Sequence, residues 1–459
     1  MKRLLIYILL VPAIYFLVSC KKYVTVPPPE NQLVSEVAFK DDITANATVA
    51  GLYSNLNSFN YLFANFLGTG MPAFGADEFH YALSSSSFDE FKDNNLTPGN
   101  SYISRLWSGP YSYIYHANAI IEGLTSSQTL SDHAKNQFLG EARFMRAFFY
   151  FYLVNYFGDV PLLLTTDYKV NTSLPRSKAA DVYAAIVADL KEAQTLLDAN
   201  YLSSERTRVN KAAATALLAR TYLYLQQWDL AEAEASKVLL DASYQLLSDP
   251  DKVFLKGSAE AIWQLQTVNT STKGVNTWEG FNMVPATPTG RSYYNVYDDL
   301  LNAFEPGDKR KDSWIHSYTI ASGTYYYPSK YKMRTNTPVQ EYSMVLRFAE
   351  QYLIRAEARA HQEDLEGAKA DLDIIRTRAG LSVLADNLSK DDLLLATEQE
   401  RRIELFAEWG HRWFDLRRTG RAIAVLSPLK PDLTETDLWY PLPLDAMKTN
   451  PNLVQNEGY

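Results

Sequence analysis

The sequence predicts a mostly α-helical protein of stacked helical pairs, with irregular loops and a small β-containing excursion at about residues 249–337. Three observations predict it. An aromatic segment at 138–164 is apolar on every side, a helix–turn–helix stretch at 218–239 is echoed at 353–374, and residues 398–418 carry dense charge at helical spacing. In the first segment Phe148, Phe149, Phe151 and Tyr152 point in different directions at about 100° per residue. A helix apolar all round must be enclosed by other helices. Each buried Phe stabilises by about 1.5–3 kcal/mol, so this helix anchors the core. Gly158 supplies its C-terminal cap and Pro161 stops its continuation.

In chain order, residues 1–19 read as an export signal. Lys2 and Arg3 precede a short apolar run broken by Pro12, too short for a comfortable membrane span. The run closes on Leu17-Val18-Ser19-Cys20, which looks like a bacterial lipobox, so Cys20 is the expected lipidation site. It is also the only cysteine, which leaves no thiol for a disulfide, a metal or a nucleophile. Residues 20–36, with Pro27-Pro28-Pro29, read as a stiff tether from the membrane to the body. The formal charge of -9 argues against nucleic acid, whose phosphates call for clustered Lys and Arg. The 31 tyrosines suit half-wet surfaces that grip a polar partner.

The body divides at the sequence level into an N-terminal helical region, 37–248, and a C-terminal region, 249–459, expected to pack as one body. Ile43, Ala47, Ala50 and Tyr53 recur at helical spacing. Residues 57–100 lose the pattern and read as a long loop region, rich in Gly, Ser and Asn yet carrying Phe74, Phe79, Tyr81, Phe88 and Phe91. Helical spacing returns with Ile103, Trp107, Tyr111, Ile114 and Ile121, with a kink expected at Gly109-Pro110. Residues 181–197 give a further amphipathic helix.

The echo then aligns Leu218 with Leu353, Arg220 with Arg355, Gln227 with Gln362, Asp229-Leu230 with Asp364-Leu365, and Ala233 with Ala368. This is the logic of a tetratricopeptide unit, in which neither helix buries its apolar face alone. Between the echoes, residues 261–266 alternate like a strand and 318–332 read as a hairpin turning at Ser322-Gly323. Residues 398–418 read as one helix whose Glu400, Glu404 and Glu408 row repels itself unless cations such as Arg401, Arg402, Arg412, Arg417 and Arg418 face it. Trp107, Trp228, Trp263 and Trp413 are assigned to the core.

No catalytic constellation emerges: there is no P-loop, no G-x-S-x-G elbow and no H-E-x-x-H helix. No cofactor or metal site is expected, since the six histidines lack ligand spacing and Asp371 and Asp373 diverge on a helix. Asp77-Glu78 and Asp298-Asp299 could serve glycoside hydrolysis only if placed across a bond.

Several motifs coincide with one family. Glu141 onward (EARFMRAFFYFYLVNYFGDVPLLL), Glu404-Leu405-Phe406, Gly410-His411-Arg412, Trp413-Phe414-Asp415-Leu416-Arg417 and the ending from Tyr440 resemble the RagB/SusD outer-membrane lipoproteins. Phe304-Glu305-Pro306-Gly307-Asp308-Lys309-Arg310 resembles the mid-chain turn of that family, with altered residue order. The resemblance implies a right-handed superhelical scaffold of TPR-like pairs. It further implies a non-catalytic, lipid-anchored protein on the outside of the outer membrane of a gram-negative bacterium. Such a protein binds glycans or oligosaccharides and hands them to a SusC-like TonB-dependent transporter. Peptide cargo on the same architecture, or a glycoside hydrolase using the paired acids, are the alternatives.

In the family, the ligand face is built from the irregular N-terminal loop and the mid-chain excursion. Sugars present C–H faces to aromatic rings and hydroxyls to polar partners. The ligand-binding candidates are therefore Phe74, Asp77, Phe79, His80 and Tyr81 from the first region, and Trp278, Phe281, Arg291, Tyr293 and Tyr294 from the second.

Overall fold

Helices α1 (Asp42–Leu56), α4 (Ser101–Ser126), α5 (Asp132–Phe157), α6 (Ala179–Leu196), α7 (Lys211–Tyr224) and α8 (Trp228–Leu239) make the first half of a computed structural model. The structure describes residues 38–268, 275–335 and 337–459, so the signal segment, Cys20 and the whole of the tether lie outside the described residues. The aromatic segment is α5. It starts earlier than its apolar run, at Asp132, because Ser131 caps it by accepting from the Ala134 amide, and it ends at Gly158 with φ 73°. Phe148, Phe149, Phe151 and Tyr152 are all buried. Phe63, Trp263 and Trp409 surround Phe148 at ring-centroid distances of 5.1–6.3 Å, so elements from both halves close over this helix. Helix α4 runs through Pro110 without interruption.

The long helices stack in series: α5 on α4 and α6, α7 on α6 and α8, then α8 directly on α12 (Phe348–His361), which pairs with α13 (Leu365–Ala379). The two echoed hairpins are therefore spatial neighbours, and the whole excursion is looped out between them. Their register differs from the gapless alignment. Gln226 (φ 57°) and Glu363 (φ 66°) occupy the same left-handed position in the two turns, and the next residue in each turn bonds back to Tyr222 or Arg359. The turns superpose with an offset two residues longer than side-chain identity suggested, because turn geometry, not leucine matching, fixes the hairpin.

Two expectations are corrected. Residues 57–100 are not a loop: they hold an irregular π turn at Phe63–Leu67, α2 (Gly68–Gly75), β1 (Phe79–Tyr81) and α3 (Ser86–Lys92). Their glycines hid this pattern, while Phe74, Phe79, Phe88 and Phe91 supplied the burial that orders them. Residues 398–418 are not one helix: α14 (Lys390–Glu404) and α15 (His411–Arg418) flank a turn in which Ala407, Trp409 and Gly410 have φ of 53°, 46° and 72°. Tertiary partners hold that turn. Glu78 accepts from the Ala407 amide at 3.2 Å, and the Trp409 indole N–H donates to the Met344 carbonyl at 2.7 Å.

The charged row is an ion-pair network, as the spacing suggested, but its cations come from elsewhere. Glu404 receives Arg310 (3.0 Å), Arg347 (2.6 Å) and Arg378, while Glu408 receives Arg347 (2.8 Å) and Lys330 (2.5 Å). Of the expected cations, Arg401 and Arg418 pair with Asp415, and Arg402 and Arg412 with Asp77. Trp107, Trp263 and Trp413 are buried; Trp228 is not a core residue but half-buried, stacked on His361 at 3.8 Å.

The excursion carries β2 (Ala261–Leu265), α9 (Trp278–Met283), β3 (Tyr294–Val296), α10 (Asp298–Ala303), α11 (Lys309–Trp314), the hairpin β4 (Ile315–Ile320) and β5 (Gly323–Pro328), and β6 (Ser343–Arg347). Strand β6 extends it past residue 337. It pairs antiparallel with β2, and β4 pairs with β5.

Candidate functional site

The two irregular regions are hydrogen-bonded to each other. Strand β1 pairs antiparallel with β3, setting Tyr81 opposite Tyr294, His80 opposite Asn295 and Phe79 opposite Val296. Beyond the pair, the Ala82 amide donates to the Tyr293 carbonyl at 2.7 Å. Successive strand residues face opposite sides. Phe79, Tyr81 and Tyr294 accordingly share one face, where Phe79 and Tyr294 pack inward with Phe74 and Tyr81 sits at the partly exposed edge of that cluster, 5.0 Å from Phe88, while Tyr293 and Arg291 face solvent; Tyr293 is 40% exposed.

This placement sorts the candidates. Phe74, Phe79 and Tyr294 are core residues, withdrawn as ligand contacts because their rings are enclosed. Asp77 is likewise withdrawn: it is buried and held by Arg412 at 2.8 Å and Arg402 at 2.7 Å, which lower its pKa although burial, the largest influence, pushes it up. His80 is half-buried and tilts against Tyr297 at 4.7 Å, lining a separate cleft with Lys92 and Lys430. Burial, then those two lysines, lowers its pKa and keeps it neutral at pH 7.

Tyr81, Tyr293, Arg291, Phe281 and Trp278 remain. The Tyr81 ring lies 6.1 Å from Tyr293, and the Arg291 guanidinium sits 4.9 Å over Tyr293. On α9 the half-buried Trp278 meets Phe281 edge-on at 5.6 Å and donates to the Asn57 carbonyl at 3.3 Å.

Five further residues complete this face and were not singled out in the sequence: Asn60, Tyr61, Tyr102, Asn282 and Arg334. Tyr61 adopts φ 58°, a conformation a bulky residue rarely accepts without outside support. Asn65 provides it, accepting from the Leu62 amide at 3.0 Å and donating to the Phe59 carbonyl at 2.7 Å. The Tyr61 hydroxyl then meets that of Tyr294 at 3.2 Å, and its ring lies 5.8 Å from Tyr102. The Asn282 amide donates to Asn60 Oδ1 at 2.7 Å, tying α9 to the same loop. Arg334 lies 4.3 Å over Phe281 and donates to the Val284 carbonyl at 3.1 Å. Burial lowers the Arg334 pKa, and the nearby phenols of Tyr294, Tyr293 and Tyr61 oppose that shift. The Tyr61 phenol is raised by burial, against its bond to Tyr294, so at neutral pH it is an uncharged donor and acceptor. Only the unusual backbone at Tyr61 marks these residues, and that is invisible in sequence.

Half-exposed rings beside two asparagine amides and two guanidinia make a surface that packs against C–H faces and pairs with hydroxyls. Among the described residues, no cluster suited to a metal ion accompanies it, and no helix is long and apolar enough to cross a membrane.

Fold and face together define a class: a helical-repeat scaffold presenting an aromatic and amide-rich binding surface on looped-out segments. Two family profiles match the chain, one described as starch-binding and associating with the outer membrane over residues 34–223, the other as the SusD family over 309–428. The chain belongs to the SusD family. It is 26% identical to SusD-like protein P38 of Formosa agariphila, spanning 100% of this chain and 99% of that one. A shorter match, 31% over 148 residues, covers 30% of this chain and 24% of the starch-binding protein SusD of Bacteroides thetaiotaomicron. Among solved structures, a laminarin-binding SusD-like protein is similar with a TM-score of 0.78 and 26% identity, covering 92% of this chain and 100% of that one. A SusD superfamily protein from Parabacteroides distasonis shares the fold with a TM-score of 0.80 at 23% identity, covering 93% and 100% of the two chains.

Proposed function

We propose that the protein binds a glycan on the Tyr61–Tyr81–Tyr293–Phe281 face and passes it to a SusC-like TonB-dependent transporter, without cleaving it. The observation that carries this reading is the β1–β3 pairing, which joins two aromatic loops distant in sequence into one surface. The family description, with its outer-membrane association, and the laminarin-binding relative support the glycan class. The paired acids have structural occupations: Asp77 is enclosed in its ion pairs, Glu78 is buried, and Asp298 and Asp299 head α10, where negative charge favours a helix N-terminus. Lipidation at Cys20 would hold the body at the outer face of the outer membrane. Calorimetry of the acyl-free protein against α- and β-glucans and other soluble glycans tests the reading. Saturable binding to at least one, with no shortening of the glycan, is expected; silence across the panel contradicts it.

A further inference from the structure

A second groove lies away from the β1–β3 face, on the helical stack. It has a volume of about 420 Å3 and is walled by Trp228 from α8, His361 from α12, Leu394 and Leu395 from α14, and Arg401 and Arg421 along its polar side. That volume lies within the range of small-molecule sites.

Its polar side is almost fully self-paired. Arg418 donates to Glu357 at 2.7 Å and to Asp415 at 2.8 Å, Arg401 donates to Asp415 at 2.7 and 3.1 Å, and Arg421 pairs with Glu398. Arg421 Nε meets Glu398 only as an ion pair, without hydrogen-bond geometry, and the group left with no partner at all is on Arg401. Its residue is 3% exposed, yet its Nη1 is buried with no hydrogen-bond partner. A buried charged donor left unpaired is costly, and native proteins seldom leave one. The lining also holds an uncharged aromatic pair. Trp228 stacks on His361 at 3.8 Å and 8°, and burial lowers the His361 pKa, leaving a neutral ring at pH 7. Leu395 is 51% exposed at the mouth.

We propose that this groove is a second ligand site, which takes one or two rings of a neutral saccharide. The carboxylates already matched to its arginines, with Asp391 unmatched at the rim, disfavour an anion. The aromatic pair offers a ring-sized apolar face, and Arg401 Nη1 offers a donor to a hydroxyl. The groove draws no residue from the β1–β3 face and does not depend on that face binding anything.

The test is 19F spectroscopy of the detergent-solubilised full chain carrying 5-fluorotryptophan, with Trp228→Phe used to assign the Trp228 resonance. Glucose, maltohexaose and laminarihexaose are titrated to millimolar concentrations. The site predicts a saturable shift of the Trp228 resonance with at least one of them, retained in a Tyr81→Ala/Tyr293→Ala background. Leu395→Arg, which crowds the mouth from an exposed position and leaves the aromatic stack in place, should weaken the response about tenfold or more. A Trp228 resonance that no saccharide moves overturns the site, whether or not the β1–β3 face binds. A shift abolished by Tyr81→Ala/Tyr293→Ala also overturns it, since the groove would then only report the first site. A Trp228 shift in a protein whose first face binds nothing leaves the groove standing and removes the first reading alone.

Discussion

Replacing Glu404 by Gln is the sharpest perturbation of the scaffold. The Glu404 carboxylate, fully buried, receives Arg310 at 3.0 Å, Arg347 at 2.6 Å and Arg378, and all three guanidinia are at most 3% exposed. Hydrogen bonds to charged groups each contribute about 1.5–3 kcal/mol. The Gln amide keeps one acceptor oxygen but turns an NH2 toward a guanidinium and removes the charge. Breaking one side of a buried network costs about 3–5 kcal/mol, because the remaining charges lose their compensation. Urea unfolding of Glu404→Gln should therefore show a loss of about that size. The exposed pair Lys178–Asp159, broken by Lys178→Gln, should lose only about 0–1 kcal/mol. The arginines, led by Arg378, hold the Glu404 pKa well below its ordinary 4.5 despite burial, the largest influence on it. Below pH 4.5 the unfolded chain takes up the proton first, so this stabilisation is present above that pH and is lost as pH falls through the depressed folded value. The stability gap between wild type and variant should accordingly narrow on acidification. A loss under about 1 kcal/mol at pH 7, or a gap independent of pH, refutes the network as an anchor of the fold.

Three more expectations follow from single residues. Gly410→Ala should destabilise by about 1–3 kcal/mol, seen as a lower urea midpoint, because φ is 72° and a Cβ would come within 2.6 Å of Pro72 Cγ. Burial, then Asp77, pushes Glu78 up to about 8, so between pH 4.5 and 8 the folded state binds more protons and stability falls as pH rises, by up to about 1.4 kcal/mol per pH unit. Glu78→Gln removes that titration, and its melting temperature should gain on wild type across this interval; parallel curves would count against it. Cys20→Ser should fractionate as a soluble, folded protein, whereas retention with the membranes speaks against a lipid anchor.

The frame was legible where one physical demand dominated. Phe148, Phe149 and Tyr152 could only be enclosed, and they are. The echoed hairpins were visible too, but their register followed the left-handed turns at Gln226 and Glu363, which leave no mark in residue identity. Helical spacing carried residues 398–418 straight through a turn that Glu78, more than 300 residues away, holds in place. The candidate face followed the same division. Its two source regions were recognisable by composition, while tertiary packing decided which aromatics stayed at the surface. Phe74, Phe79 and Tyr294 lost that choice, and Tyr61 and Arg334 joined through contacts between segments distant in sequence.

The central claim is that Tyr81 and Tyr293, from segments brought together by β1 and β3, hold one glycan. Calorimetry of Tyr81→Ala/Tyr293→Ala against whichever glycan the wild type binds tests it most directly, with the circular dichroism melt as a fold control. Both rings lie outside the ion-pair network and Tyr293 is exposed, but Tyr81 packs on Phe88 and Tyr294, so the melt should shift down while remaining one cooperative transition. Loss of about 2–3 kcal/mol of binding, about 30- to 150-fold in Kd, is predicted. Unchanged affinity in a folded variant would place the ligand elsewhere and contradict the account.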